Sequence, residues 1–277
     1  MEASGKLVLG TVQFGCQYGI NSAGRPSPEM VGDILDEAKR GGIAILDTSS
    51  AYGDAEQVLG ACHPADFKIV SKYPKGSAPV GEMISSSISR LGVRSLYGYL
   101  LHHFELYRMN PSIWQEFRKV RDEGKCARIG FSLYSPEELE LILSDNVVFD
   151  LIQVPRNIFD RRFDPYFKEL KDRGVEIHVR STFLQGLFFK DRDSLPEKLR
   201  PMRPYLLELD RISADRGIPV EKLALGFNLS NPNVDGVLIG VDNPGQLRDN
   251  LALARCEGVE IDINVAEREL LNPSNCK

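Results

Sequence analysis

Four polar residues, each ending a short apolar run, are spaced regularly enough to share one site. They are 25, 30 and 30 positions apart in turn: Asp47, Lys72, His102 and Ser132. A strand and the helix that follows it together occupy about 30 residues. The spacing therefore predicts that these side chains meet at one end of a repeated strand–helix structure.

Tyr52, five residues after Asp47, completes a set suited to acid–base chemistry. A phenol with a pKa near 10 donates a proton poorly unless a nearby ammonium, such as that of Lys72, favours its anion. Asp47 would keep that lysine charged and oriented, while His102 would hydrogen-bond a substrate oxygen. The set suits protonation of a carbonyl oxygen while a cofactor delivers hydride to the carbon.

Each of these residues also has a structural explanation. Asp47 alone suits a turn, Lys72 a cation at a barrel rim and Tyr52 a half-buried aromatic. His102 and His103 are adjacent, so on a regular strand only one of them faces the interior, and no second ligand stands at a metal-binding spacing. Taken together, the residues favour the catalytic interpretation and predict no metal site.

The elements that must position these residues alternate between strands and helices along nearly the whole chain. The strand-like runs, of which we count eight, include KLVLGTVQFG, IAILDT and FKIVSKY. This order implies a parallel sheet, and eight strand–helix units in 277 residues match a single-domain (β/α)8 TIM barrel over residues 1–277. The open-sheet dinucleotide fingerprint is absent, because Gly10, Gly15 and Gly19 have the wrong spacing.

One long insertion interrupts the alternation after the seventh strand, between about Ser181 and Pro219. It contains a proline-rich charged loop and a predicted extra helix, roughly Arg203 to Arg216. A loop over the C-terminal mouth of a barrel usually serves the site, although a solvated insertion is the alternative.

Composition excludes several classes of protein. The net charge of -5 disfavours nucleic acid and anionic membrane partners. No apolar run approaches the roughly 20 residues that span a bilayer, and the N-terminus does not resemble a signal peptide. The five cysteines, which include no C-x-x-C pair, indicate reduced thiols and a cytoplasmic location: Cys16, Cys62, Cys126, Cys256 and Cys276.

Several segments resemble, in order, those of the aldo-keto reductase superfamily. They include LVLGTVQFG, LDTSSAYGDAEQVLG, IVSK, YLLHH, GKCARIGFS, DLIQVPRNIFDRR, STFLQGLFF and SNPNVDGVLIGVDNPGQLRDNL. The resemblance implies a barrel that reduces aldehydes or ketones with NADPH or NADH. It also implies that Asp47, Tyr52, Lys72 and His102 are the catalytic residues, with Tyr52 as the proton donor.

The same resemblance implies a set of cofactor-binding positions. These are Ser132, Gln153, Arg180, Ser181, Leu184, Gly186, Gly240, Asp242, Gln246 and Asn250. Two positions depart from the family pattern. Leu133 stands where an asparagine usually follows the serine, and Arg180 stands where an aromatic residue usually stacks on the nicotinamide.

The cofactor preference is left open by the sequence. Asp242 and Asn243 replace the basic residues that often bind the 2′-phosphate of NADPH, which favours NADH. Phosphates could still meet Arg248 or the basic residues of the insertion: Lys190, Arg192, Lys198, Arg200 and Arg203. For Arg180 the alternatives are an anionic substrate group, the cofactor, or an internal pair with Asp or Glu.

The leading prediction is an NAD(P)H-dependent reductase that interconverts an aldehyde or ketone and its alcohol. The phrases QVPRNIFDRRF and VRSTFLQGL resemble a bacterial branch associated with sugar metabolism, which hints at a sugar-derived substrate. Two alternatives remain: a lyase, dehydratase or epimerase on the same barrel, and a nucleotide-sensing subunit with little turnover. The sequence fixes neither the substrate nor the oligomeric state.

Overall fold

Eight parallel strands close into a barrel in the computed structural model, which describes residues 3–20, 24–76, 78–254, 261–263, 265 and 268–271. The strands are β1 (Leu7–Gly10), β2 (Ile45–Asp47), β3 (Lys68–Tyr73), β4 (Leu96–Leu101), β5 (Cys126–Ser132), β6 (Leu151–Pro155), β7 (Glu176–Arg180) and β8 (Gly236–Gly240). Each strand pairs with the next along the chain, and β8 pairs with β1. The predicted (β/α)8 barrel is confirmed.

Helices connect the strands, and the predicted extra helix is present in the insertion. The α-helices are α1 (Val12–Gly15), α2 (Pro28–Arg40), α3 (Ala55–Ala61), α4 (Val80–Leu91), α5 (Glu105–Met109), α6 (Ile113–Asp122), α7 (Pro136–Ser144), α8 (Asp164–Asp172), α9 (Arg203–Arg216), α10 (Val220–Leu229) and α11 (Pro244–Leu253). Short 3-10 helices cover Ala3–Lys6, Pro64–Asp66, Leu184–Phe189, Glu197–Met202 and Arg268–Leu271. The helix α9 has the predicted bounds.

The first strand is shorter than the run KLVLGTVQFG suggested. It ends at Gly10, where the backbone N–H and the hydroxyl of Thr11 both donate to the carbonyl of Asp47, each at 2.9 Å. The chain then turns into α1. As a result Gln13, which the sequence placed inside a strand, lies at the mouth of the barrel.

Alternation along the strands brings the predicted polar residues to one end of the barrel interior. Val70, Leu100 and Leu151 form a small apolar cluster of their own. Two positions later along the chain come Lys72 on β3, His102 just after the end of β4, and Gln153 on β6. Because side chains on a strand alternate between its two faces, these polar groups lie on the same interior face, towards the C-terminal strand ends.

The insertion after β7 is anchored by its own apolar contacts rather than being a solvated loop. Its Leu187, Leu199 and Leu206 are buried in a second cluster, together with residues of α10 and residues near the C-terminus such as Ile263. The insertion therefore forms a fixed wall beside the barrel mouth.

Within the described residues, the thiols of Cys16, Cys62 and Cys126 are free. Cys256 and Cys276 lie outside that part of the chain. None of the helices that the structure describes is both long enough and apolar enough to cross a membrane.

Candidate active site

An open cavity of about 610 Å³ lies at the C-terminal strand ends. Eleven of the predicted site residues line it: Asp47, Tyr52, His102, Gln153, Arg180, Ser181, Gly186, Gly240, Asp242, Gln246 and Asn250. Three do not: Lys72 is fully buried behind Tyr52, Ser132 is buried beside Gln153, and the side chain of Leu184 is buried in the second cluster. Leu184 can thus meet a ligand only through its backbone.

A chain of hydrogen bonds connects Tyr52 through Lys72 and Asp47 to Gln153 on β6. The ammonium of Lys72 donates to the hydroxyl of Tyr52 at 3.3 Å, to Asp47 Oδ1 at 2.5 Å and to the carbonyl of Thr48 at 2.9 Å. The other carboxylate oxygen of Asp47 accepts from the Gln153 amide at 2.7 Å. Asp47 and Lys72 are 2% and 0% exposed, so water does not compete for these contacts.

This arrangement leaves the proton of Tyr52 free for the cavity. A lysine ammonium has only donors, so in its contact with Lys72 the phenol oxygen accepts. The O–H of Tyr52 is then available to an acceptor in the cavity that Tyr52 lines. Tyr52 can therefore act as a proton donor whose oxygen is already held by a cation.

Burial is the largest influence on the pKa of both Tyr52 and Lys72. It raises the pKa of Tyr52 well above its ordinary value of 10.0, and the Asp47 carboxylate adds to the rise. Burial also lowers the pKa of Lys72, which its ion pair with Asp47 opposes. That Lys72 favours the phenolate stays a prediction, because burial and the Asp47 carboxylate raise the pKa of Tyr52 on balance. The result is a protonated Tyr52 at neutral pH, the form that reduction needs.

Two glycines allow the loop of Tyr52 to pack directly on α1. A Cβ at Gly15 would lie 1.7 Å from the carbonyl oxygen of Tyr52, and one at Gly53 would lie 2.4 Å from the carbonyl oxygen of Gly15. Gly53 also has a left-handed φ of +57°. Any larger residue would push the loop away, so these glycines fix the position of Tyr52.

His102 is a neutral donor facing the cavity. The Ser49 hydroxyl, whose oxygen accepts from the Ala51 N–H at 3.1 Å, lies 3.3 Å from His102 Nδ1. In the tautomer in which Nδ1 accepts from this hydroxyl, the ring proton of His102 resides on Nε2. His103 also lines the cavity, although only one of the two adjacent histidines was expected to face the interior. The reason is that β4 ends at Leu101, so both histidines follow the strand and its alternation does not apply to them.

We predict that His102 stays neutral across the physiological pH range. Burial lowers its pKa from 6.5 to about 2, helped by the charge of Lys72. The unfolded chain takes up a proton near pH 6.5 that the folded protein refuses, so this residue costs stability progressively as pH falls below 6.5. Ring NMR signals assigned with His102→Asn should stay constant from about pH 4 to 8. A midpoint near 6.5 would contradict the burial argument.

Arg180 has no acidic partner in the described part of the chain. Its Nη2 donates to the Leu133 carbonyl at 3.0 Å, Nη1 lies 3.4 Å from Ser181 Oγ, and the guanidinium carbon sits 4.1 Å from the Tyr134 ring centroid. Its Nε is buried without a hydrogen-bond partner among these residues. The alternative of an internal pair with Asp or Glu is therefore not found in the part of the chain that the structure describes. The two departures from the family pattern, Leu133 and Arg180, contact each other.

The segment that follows Arg180 has an unusual backbone. Ser181, Leu184 and Gln185 have left-handed φ angles of 64°, 48° and 58°, and Gly186 follows at 90°. The Asn157 amide holds the carbonyl of Ser181 at 3.2 Å. Strained backbone of this kind collects at ligand-binding sites, where neighbouring contacts over-determine it.

The far end of the cavity, beyond β8, is acidic. Asp242 and Asp249 line it, and Asp242 Oδ1 is buried without a hydrogen-bond partner among the described residues. The Gln246 side chain accepts from the Asp242 N–H at 2.8 Å. Arg248 instead contacts Glu37 at 3.2 Å. The cavity lining includes neither Arg248 nor the basic residues of the insertion: Lys190, Arg192, Lys198, Arg200 and Arg203.

Several side chains of the cavity wall were not among the predicted site residues. Tyr18 and Gln13 come from the segment after β1, and Phe189 comes from the insertion. Burial raises the pKa of Tyr18 to about 12, so it too stays protonated. Ending the first strand at Gly10 in the sequence analysis would have placed Gln13 and Tyr18 after the strand, at the mouth of the barrel.

The side chains fit an organic ligand better than a metal. In the described residues, no three His, Cys, Asp or Glu side chains are grouped closely enough to hold a metal ion. By contrast, buried polar atoms without partners from Gln13, Arg180 and Asp242 belong to residues spread along the cavity wall. An elongated ligand with polar groups at both ends would satisfy them.

Comparison with known proteins agrees with this geometry. The profile of the Aldo/keto reductase family matches residues 6–264. L-galactose dehydrogenase of Arabidopsis thaliana is 25% identical over 78% of this chain and 75% of its own. NADH-specific methylglyoxal reductase of Escherichia coli K12 is 23% identical over 79% and 81%.

A solved structure shares the fold. The holo form of an aldo-keto reductase from Bacillus halodurans superposes with a TM-score of 0.75 at 22% identity, covering 96% of this chain and 90% of that one. With the family profile matched over nearly the whole chain, the protein belongs to the aldo/keto reductase family of NAD(P)-dependent oxidoreductases.

Proposed function

We propose that the protein reduces an aldehyde or ketone to its alcohol, with Tyr52 as the proton donor and NADH as the preferred cofactor. The observation that carries this proposal is the contact chain from Tyr52 through Lys72 and Asp47 to Gln153. It ends in a phenol that keeps its proton at neutral pH and faces the cavity.

The chain's own residues supply the proton-transfer half of the reaction. Tyr52 donates its proton to the carbonyl oxygen, and Lys72 stabilises the negative charge left on the phenol. The Nε2–H of neutral His102 donates to the same carbonyl oxygen and orients it. A reduced nicotinamide, when bound, supplies the hydride.

The residues present fit a dinucleotide. One cavity is lined by Tyr52, by Ser181 and Gly186 of the strained segment, and by the acidic Asp242 and Asp249. We propose that Gln153, Ser132 and Arg180 hold the nicotinamide end and that this segment holds the phosphates. The residues proposed for the adenosine end are Gly240, Asp242, Gln246 and Asn250.

The substrate is proposed to be a small sugar-derived carbonyl compound. One relative is named for L-galactose, which is a sugar, and another for methylglyoxal, which is a small carbonyl compound. Another relative, from Escherichia coli K12, is named L-glyceraldehyde 3-phosphate reductase, at 24% identity. The cavity is open to solvent, which suits a substrate that enters from the mouth.

We expect NADPH to bind about tenfold or more weakly than NADH, because its 2′-phosphate would approach the carboxylates of Asp242 and Asp249. Fluorescence titration with each nucleotide measures the ratio. Asp242→Asn should reduce the discrimination, whereas Asp172→Asn, on the exposed surface of α8, should not. Tighter binding of NADPH by the unchanged protein would contradict this assignment.

Turnover tests the reductase proposal itself. Methylglyoxal and glyceraldehyde should each be tried with NADH, following loss of absorbance and formation of alcohol. Conversion of a carbonyl compound without net oxidation of NADH would instead indicate redox-neutral acid–base chemistry at the same residues. Failure of both NADH and NADPH to bind at millimolar concentration would exclude the reductase proposal.

A further inference from the structure

Arg180 gives the reacting end of the cavity an uncompensated positive charge. Lys72 is neutralised by Asp47 at 2.5 Å, and His102 is neutral. Among the described residues, by contrast, Arg180 contacts neutral groups: the Leu133 carbonyl, the Ser181 hydroxyl and the Tyr134 ring. The acidic residues Asp242 and Asp249 also line the cavity, but neither contacts the Arg180 guanidinium.

The guanidinium is held in place rather than free to swing away. Leu133 is fully buried, so the carbonyl that accepts from Arg180 is fixed by the end of β5. The Tyr134 ring covers one face of the guanidinium at 4.1 Å, a favourable cation–π contact. The charge is therefore a permanent feature of the cavity wall.

This charge reaches the place where hydride transfer occurs. Arg180 lines the same cavity as Tyr52 and His102, and its charge acts on the ionisation of both. The carbon that receives hydride is one bond away from the oxygen that Tyr52 protonates. The ring that gives hydride must therefore lie at this end of the cavity.

Oxidation changes the charge of that ring and of nothing else in the dinucleotide. The reduced nicotinamide is neutral and the oxidised one carries a positive charge, whereas the phosphates keep theirs. We propose that Arg180 makes the site bind reduced dinucleotide in preference to oxidised dinucleotide, so that NADH loads readily and NAD⁺ is released readily after hydride transfer. The inference rests on the proposed function, because it requires a dinucleotide in this cavity.

The expected size of the effect follows from Coulomb's law. Two unit charges roughly 7 Å apart, at an effective dielectric constant near 20, repel enough to change a binding ratio by about 10- to 50-fold. A contact between Arg180 and a phosphate would cancel from this ratio, because it is the same in both redox states. The ratio of the two dissociation constants therefore isolates the effect on the ring.

Dissociation constants of NADH and NAD⁺ for four proteins test the inference. The unchanged protein should bind NADH more tightly, and Arg180→Gln should lower the ratio of the NAD⁺ constant to the NADH constant by about tenfold or more. Arg180→Lys keeps the charge and should retain most of the preference. Arg248→Gln removes an exposed arginine outside the cavity and should leave the ratio unchanged.

Each of the other outcomes would contradict the inference and point to a different role for Arg180, or to a failure of the proposed function. If Arg180→Gln weakens both forms equally, the residue binds a phosphate. If it changes neither constant but raises KM for carbonyl substrates that carry a carboxylate or phosphate, the residue binds substrate. If neither form binds to the unchanged protein, the proposed function fails and this inference fails with it. Thermal unfolding of each variant shows whether the fold is retained.

Discussion

Replacing Tyr52 by phenylalanine is expected to lower kcat for carbonyl reduction by roughly 10²–10⁴-fold while leaving the dissociation constant of NADH unchanged. The substitution removes the only atom of Tyr52 that can donate a proton and keeps the ring that packs edge-on against His102, with centroids 5.8 Å apart. Steady-state kinetics with a saturating aldehyde and a separate nucleotide titration measure the two quantities.

Tyr134→Phe is the matched control, because Tyr134 also lines the cavity but its ring, not its hydroxyl, contacts Arg180. This variant should keep kcat within a few-fold of the unchanged protein. Turnover by Tyr52→Phe at the unchanged rate would remove Tyr52 from its assigned role. Equal losses in both variants would show that cavity shape, rather than proton donation, had been disturbed.

The sequence was informative about the fold because the order of strands and helices along the chain largely determines the topology. Short apolar runs that alternate with amphipathic helices permit few arrangements, and eight such units close into a barrel. The bounds of α9 followed from its composition alone. The end of β1 did not, because Val12 and Phe14 continue the apolar pattern of the strand although the chain turns into α1 after Thr11.

The sequence was equally informative about which polar residues gather at the mouth, but not about what each one contacts. Strand-end position is a one-dimensional property, and it brought Asp47, Lys72 and His102 together. The bond between Gln153 and Asp47 joins residues 106 positions apart and depends on the barrel closing at the observed register. No local pattern encodes it.

Arg180 illustrates the remaining limit. From the sequence, an internal partner, the cofactor and a substrate anion were all compatible with an arginine at that position. Only the fold shows that the end of β5 presents a carbonyl at 3.0 Å and a tyrosine ring at 4.1 Å, without a carboxylate. The direction of the Tyr52 pKa likewise depends on burial, which a sequence does not measure.

A second large effect is expected at Arg156, which is connected through Asn228 to the segment after β7 that lines the cavity. Its guanidinium binds both carboxylate oxygens of Asp164, at 2.8 and 2.9 Å, and its Nη1 donates to the Phe227 carbonyl and to Asn228 Oδ1 at 3.0 and 2.9 Å. Arg156 is 5% exposed. Asn228 in turn donates to the Thr182 hydroxyl at 3.1 Å, within the segment after β7.

Arg156→Met should lower the free energy of unfolding by about 2–4 kcal/mol, because it leaves two buried acceptors and the partly exposed carboxylate of Asp164 without their partner. The thermal midpoint should fall by roughly 5–10 °C. Since the same contacts hold Thr182, which lies within the strained Ser181–Gly186 segment, NADH should also bind more weakly to the variant at temperatures where it is folded.

The matched control is Lys168→Met on α8, which breaks a surface pair with Asp172 whose members are 81% and 65% exposed. Exposed pairs contribute little to stability, so neither the midpoint nor the affinity for NADH should change measurably. An unchanged midpoint in Arg156→Met would contradict the buried-pair argument. A lowered midpoint with unchanged NADH affinity would confine Arg156 to stability and show that the segment after β7 keeps its conformation without it.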